Sequence, residues 1–241
     1  MKIQKLLLFL SHFWVLIFST FHENSYANNL LTKPISVVTE IAPPLQFMNG
    51  DKLDGQTTKQ VRELLAKAGL EANFQVYPWA RAFQNAQSNS NTLIYPIVRT
   101  PERESQFEWI GRLLTFKMSI IQLDNDKPKD LQTLQQAKSL KLGLMRNDYA
   151  HLLFEKQGFK EGQHFQLASE LSQLIALLYS GKIDAMVADL PLLKVMAISQ
   201  GFAASQLKSV FDIPDQEVDV YLAASKFTDC DIVNKLRQQL N

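Results

Sequence analysis

The sequence predicts an α/β protein built as two lobes joined by two extended crossings, and three observations lead there. Short apolar strands alternate with amphipathic helices from residue 34 onward. A β-α-β-α-β order occurs twice along the chain. Extended apolar runs follow each occurrence, at Leu113–Leu123 and at Val218–Ala224. Alternation of this kind argues for parallel sheets with helices packed on their faces.

The first unit opens with Ile35–Thr39, short and β-branched. Thr57 precedes a helix, with Gln60 placed to complete a capping box. Val61, Leu64, Leu65 and Ala68 form the apolar face of that helix, and Gly69 ends it. Phe74–Tyr77 is a strand, Pro78–Gln87 a short helix and Thr92–Val98 the third strand. The second unit runs from the strand Leu140–Leu144 to the helix Asp148–Lys156, stopped by Gly158. Phe165–Ala168 is its next strand, and Ser169 caps a helix with Leu171, Leu174, Ile175 and Leu178 inward. Gly181 closes that helix and Ile183–Ala188 is the last strand. Asp124-Asn125-Asp126-Lys127-Pro128 reads as a turn. A final helix capped by Asp229 carries Ile232, Val233, Leu236 and Leu240 on its inner face.

The N-terminus predicts export. Lys2 and Lys5 precede a nearly unbroken apolar run, Leu6 to Phe18, about 13 residues long. A membrane-spanning helix needs about 20. Ser25-Tyr26-Ala27 places small residues where a signal peptidase cleaves, so residues 1–27 read as a signal peptide. An uncleaved anchor is the alternative reading. Lobe one is expected over 28–117 and 214–241, and lobe two over 118–213. Removing Lys2, Lys5 and Glu23 leaves equal numbers of basic and acidic side chains. That balance offers no electrostatic attraction to nucleic acid or an acidic membrane. Cys230 is the single cysteine, which excludes an intramolecular disulfide, and it lies far from the expected cleavage site. Only His151 and His164 remain after processing, without metal-ligand spacing. No cofactor is expected, and the mature protein is expected to be a monomer.

Ligands of open parallel sheets bind at the carboxyl ends of the strands. Those positions hold Glu40, Trp79 and Arg103 in lobe one, and Arg146, Asp148 and Asp189 in lobe two. Together they supply a cation, carboxylates and an aromatic wall, as a zwitterion would need. Each also has a plainer reading. Arg103 sits among carboxylates, Asp189 precedes Leu190-Pro191 as a helix cap would, Trp79 could be core, Glu40 could be a charge on the lip, and Arg146 could pair with Asp148.

Several segments in fixed order carry a family resemblance. They are Val38-Thr39-Glu40 with Pro43-Pro44, Tyr77-Pro78-Trp79, Arg99-Thr100-Pro101-Glu102-Arg103 and Phe107-Glu108-Trp109-Ile110-Gly111, then Leu142-Gly143-Leu144 and Gly181 through Asp189. From about Ile35 to Leu240 the chain resembles the bacterial extracellular solute-binding proteins of family 3, the polar-amino-acid-binding type, as a divergent member. The resemblance implies the two-lobed periplasmic-binding-protein fold (type II, or Venus flytrap). It implies that Arg103 holds a ligand carboxylate and Asp189 a ligand ammonium, with Trp79 or Tyr95 as the aromatic wall. The chain departs from the family pattern in two places. The third strand reads Ile94-Tyr95-Pro96-Ile97-Val98, without serine, and the turn in lobe two is Arg146-Asn147-Asp148-Tyr149. These changes remove expected carboxylate donors and add a cation and an anion.

The function expected is capture of a small polar solute, an amino acid or related zwitterion or carboxylate, for an inner-membrane permease. A sensory module for a membrane receptor is the main rival. A dehydratase acting on prephenate-like acids is a second, requiring Glu40 or Asp189 as a general acid with a pKa raised by burial.

Overall fold

A computed structural model describes residues 34–124 and 130–240. The expected signal peptide and most of the turn at 124–128 lie outside the described residues. In lobe one the chain forms β1 (Ile35–Thr39), a hairpin of β2 (Phe47–Asn49) and β3 (Lys52–Asp54), α1 (Gln56–Lys67) and β4 (Ala72–Val76). It continues through α2 (Trp79–Ser88) and β5 (Thr92–Val98) into the long strand β6 (Phe107–Leu123). Lobe two holds β7 (Leu142–Met145), α3 (Tyr149–Lys156), β8 (Phe165–Ala168), α4 (Leu171–Tyr179), β9 (Ala185–Ala188) and α5 (Leu190–Ser199). The second long strand, β10 (Leu207–Ser225), returns to lobe one and ends in α6 (Cys230–Gln238).

The main sheet has the order β4-β1-β5-β10-β6-β9-β7-β8. β1 lies parallel to β4 and β5, and β7 lies parallel to β8 and β9, so each lobe has its own parallel set. Between these sets β6 and β10 run antiparallel through both lobes. Phe107–Lys117 pairs with Glu217–Ser225, and Ser119–Leu123 pairs with Leu207–Asp212. The register shifts between Asp212 and Glu217, where the strands pass from one lobe to the other. A bulge bends and twists a strand locally, which lets one ribbon serve both parallel sets. Opposite it Asp212 accepts from Lys117 Nζ (2.7 Å) and from the hydroxyls of Ser119 and Ser209 (2.8 Å each). These donors, Lys117 foremost, draw its carboxyl down to about 2.

The two crossings expected at Leu113–Leu123 and Val218–Ala224 are parts of these longer strands. A ribbon that runs through both lobes outgrows the usual five or six residues of a strand, so local pattern showed only its apolar portions.

Three departures concern helix ends. The capping box at Thr57 does not form. α1 begins at Gln56 behind Gly55, and the Thr57 hydroxyl is buried against Leu45 O and Gln46 Oε1, each at 2.9 Å. The Ser169 cap does not form either. Glu170 occupies the N-cap without a side-chain bond, and Ser169 contributes its backbone N–H to Gln173 Oε1 (3.2 Å). Leu240 is 46 % exposed, lying over Gly111 rather than inside. Asp229 caps α6 as expected, accepting from the Asp231 N–H at 2.8 Å.

Gly55 makes the Leu45–Gln46 segment possible. Its φ is +119°, and a Cβ there would run into Leu45 O and lie 2.9 Å from Gln46 Cα. Gly55→Ala is therefore expected to cost about 2–4 kcal/mol. The measurement is the urea midpoint at constant m-value, and an unchanged midpoint would mean that this segment yields without cost.

Candidate functional site

Thr39 ends β1 fully buried, its hydroxyl donating to Tyr95 O at 2.6 Å. This tie brings the chain out of the sheet at the carboxyl end of β1, where Glu40 follows. Across the gap, β7 ends at Met145 and the chain turns through Asn147, whose φ is +60°. Asn is among the few non-glycine residues that adopt this conformation readily. His151 Nδ1 accepts the Asn147 N–H (3.1 Å), and Asp148 then caps α3 by accepting the His151 N–H (2.8 Å).

The turn aims Asn147 O at lobe one. Trp79 Nε1 donates to it at 2.9 Å and Arg103 Nη2 at 3.2 Å. Arg103 Nη1 donates to Val98 O in its own lobe (3.2 Å). The guanidinium lies over Phe83 and Trp79, 5.0 and 5.9 Å from their ring centroids, and the residue is 2 % exposed. Its Nε is buried without a hydrogen-bond partner. At the rim Lys156 of lobe two pairs with Glu102 of lobe one at 2.8 Å. Among the described residues, the polar ties between the lobes thus include two N–H donors on one carbonyl and a solvated ion pair.

Between them lies a cavity of about 140 Å³. Leu45, Phe116, Met118, Met145, Leu193 and Met196 make most of its wall apolar. Its polar lining comes from Glu40, Gln46 and Arg103 of lobe one, and from Asp148, Tyr149 and Asp189 of lobe two. Desolvation, and then the charges of Asp148 and Glu170, push the Glu40 carboxyl up to about 8. Desolvation pushes Asp148 up to about 6 against the pull of its backbone donors and Arg103. Two carboxylates on facing lobes thus resist ionising together. Gln46 is 0 % exposed, and its Nε2 is a buried donor with no partner.

The expected site residues divide into those that meet and those that do not. Glu40, Trp79, Arg103, Asp148 and Asp189 line one cavity. Asp189 does so with both oxygens engaged, accepting Leu192 N–H (3.2 Å) as the cap of α5 and Lys117 N–H (3.0 Å) from β6. Tyr95 is not a cleft wall. It is fully buried in the lobe-one core, edge-on to Phe74, with its hydroxyl 2.9 Å from Thr58 Oγ1. Alternation along β5 sends it to the face opposite the cleft. Arg146 also lies off the cavity, exposed and 3.6 Å from Glu161, so it does not pair with Asp148. Gln46 and the Asn147 carbonyl were missed. A polar residue held between Leu45 and Phe47 just after Pro43-Pro44 was the available signal for Gln46; a backbone oxygen leaves none. Among the described residues no cluster of His, Cys, Asp or Glu could hold a metal ion.

The model of the bacterial extracellular solute-binding proteins, family 3, matches residues 35–156. No curated protein sequence matches the chain significantly. Among solved structures, a histidine kinase sensor domain with similarity to periplasmic binding proteins superposes with a TM-score of 0.73 at 18% identity, over 86% of this chain and 89% of that one. The arginine-, lysine-, histidine-binding protein ArtJ from Geobacillus stearothermophilus gives 0.73 at 19%, over 86% and 88%. A putative L-cystine ABC transporter protein from Listeria monocytogenes gives 0.69 at 17%, over 86% and 88%. These likenesses establish the two-lobed fold.

Two predictions follow from the geometry. A carboxyl raised by folding binds its proton more tightly in the native state, so stability falls as pH rises from the ordinary value, 4.5, through about 8. Glu40→Gln removes this loss. After discounting for the partial exposure of Glu40, the variant should gain about 2 kcal/mol over the parent at pH 8.5 and nothing at pH 4. That is a melting-temperature difference of roughly 4–8 °C, and parallel pH profiles would contradict it. Trp79→Phe keeps the ring but removes a donor from Asn147 O. It should cost the closed form about 1 kcal/mol and raise the radius of gyration in small-angle scattering.

Proposed function

Because the chain belongs to the bacterial extracellular solute-binding proteins of family 3, we propose that it is exported, closes its lobes over a small polar solute and presents the closed form to a membrane partner. The observation that carries this reading is the cavity walled by both lobes, with titratable groups from each facing into it. Lobe one contributes Glu40, Gln46, Trp79 and Arg103; lobe two contributes Asp148 and, at the α5 N-terminus, Asp189. The long ribbon of β6 and β10 is the hinge, and residues 1–27 are the export signal.

Micromolar affinity requires about 8 kcal/mol. A charge-assisted hydrogen bond contributes about 1.5–3 kcal/mol, and apolar burial about 25 cal/mol per Å². Two polar contacts and a buried apolar body reach that value. A solute that contacts both lobes binds the closed form better and so shifts the population toward it.

The partner is read as a permease of the ABC type, with the closed surface as its signal. Sensing is the second reading, favoured by the likeness to a histidine kinase sensor domain. Co-purification with a permease or with a receptor kinase separates the two. The raised pKa of Glu40 is also what a general acid needs. Turnover of a prephenate-like acid, lost in Glu40→Gln, would move the reading to catalysis.

The primary test is a thermal-shift panel of amino acids, amines, polyamines and dicarboxylates on residues 28–241, refolded to remove carried-over solute. A ligand at 100-fold its dissociation constant stabilises by about 2.7 kcal/mol, a shift of roughly 5–11 °C for a chain of this size. The shift should coincide with compaction in small-angle scattering. Stabilisation without compaction would place the ligand elsewhere.

A further inference from the structure

The donors and acceptors left over in the cavity specify more than its size. This inference rests on the solute-capture reading and names the chemical class of the solute. Arg103 is the sole basic residue lining the cavity among the described residues. A ligand carboxylate would ordinarily take the two-pronged fork of an arginine. Here Nη1 is held by Val98 O and Nη2 by Asn147 O, and the aromatic rings of Trp79 and Phe83 lie against the guanidinium. A carboxylate seated on that fork would have to break one of the bonds that join the lobes.

The carboxylates offer the reverse. Glu40 and Asp148 face the cavity from opposite lobes, and Glu170 stands close enough to Glu40 to act on its charge. Asp189 is already bound by two backbone donors. Acidic groups thus outnumber the one committed cation. An independent observation points to a further ligand atom. Gln46, wholly buried, directs its Oε1 to Thr57 and leaves Nε2 without an acceptor, and Arg103 Nε is in the same condition. Buried donors of this kind are costly unless a bound molecule meets them.

We propose that the solute is a small monocation: a protonated amine on a compact apolar body that also carries a neutral acceptor oxygen. The amine lies between Glu40 and Asp148, the oxygen accepts from Gln46 Nε2 with Arg103 Nε as a second donor, and the apolar body faces Leu45, Met145 and Leu193. A cavity of about 150 Å³ accommodates benzene, so the 140 Å³ here suits a solute of that order. An amino amide or amino alcohol satisfies these conditions, whereas an α-amino acid brings an anion to a site without a free fork for it.

Four probes of matched shape test this on residues 28–241: valinamide, valine, isobutylamine and isobutyramide. Titration calorimetry should give valinamide at least ~30-fold tighter binding than valine, with isobutylamine between them and isobutyramide weakest. Because Glu40 must ionise to receive a cation, valinamide binding at pH 7 should release protons, read as a dependence of the heat on buffer ionisation enthalpy. Glu40→Gln, and Asp148→Asn, which keeps the cap of α3, should each weaken valinamide at least ~10-fold. Circular dichroism verifies that these variants fold. Valine binding as tightly as valinamide overturns the inference. So does stabilisation by other zwitterions or dicarboxylates with none by the amines, while the solute-capture reading stands. If no compound in either panel binds, both fall.

Discussion

A guanidinium cannot shed its charge at any physiological pH, so burying one obliges the surroundings to answer it. Arg103 is buried where the lobes meet, and much else in the cleft follows from how it is answered. One oxygen comes from its own strand, Val98 O, and the other from the facing lobe, Asn147 O. The second can be offered only because Asn147 adopts a left-handed turn, held by His151 Nδ1 on its N–H. Trp79 adds its indole N–H to the same carbonyl. Closure therefore depends on a backbone atom of lobe two being placed correctly, and α3 with its Asp148 cap does the placing.

The same turn puts Asp148 opposite Glu40. Neither carboxyl is paired with a lysine or arginine at bonding distance among the described residues, and both are pushed upward by desolvation. A closed cleft with a surplus of acids and a few unmet donors is poorly balanced by itself. Its balance is restored by a molecule of complementary charge and hydrogen-bonding pattern, which is the physical basis of coupling between binding and closure. The crossing strands supply the remaining requirement. β6 and β10 keep their pairing through both lobes, so the hinge is a bulged ribbon and not a pair of loose linkers.

Legibility in the sequence tracked how local each cause is. Ile35–Thr39 and Thr92–Val98 are strands with the boundaries their apolar β-branched runs suggest, and Phe165–Ala168 is a strand with the boundaries expected. Gly69, Gly158 and Gly181 stand at helix ends with positive φ, as their role as stops requires. Thr57 and Ser169 failed as caps because buried or backbone partners elsewhere had the stronger claim on those positions. Tyr95 shows the limit at the site itself. It lies in a strand that reaches the cleft, but a strand has two faces, and only packing decides which is the core.

By itself, the sequence determined the alternation of elements, the two repeated units, the family and five of the charged and aromatic residues that line the cleft. These rest on periodicity, turn chemistry and residue type, all of which act over a few neighbouring positions. Only the tertiary structure decided that Arg103 is answered by Asn147 O, that Glu40 and Asp148 confront one another, that Arg146 turns away to Glu161 and that Gln46 is left with an unmet donor. Each of these is a relation between atoms far apart in the chain. Its energy depends on distance and solvent exclusion, and neither exists until the lobes are folded and brought together.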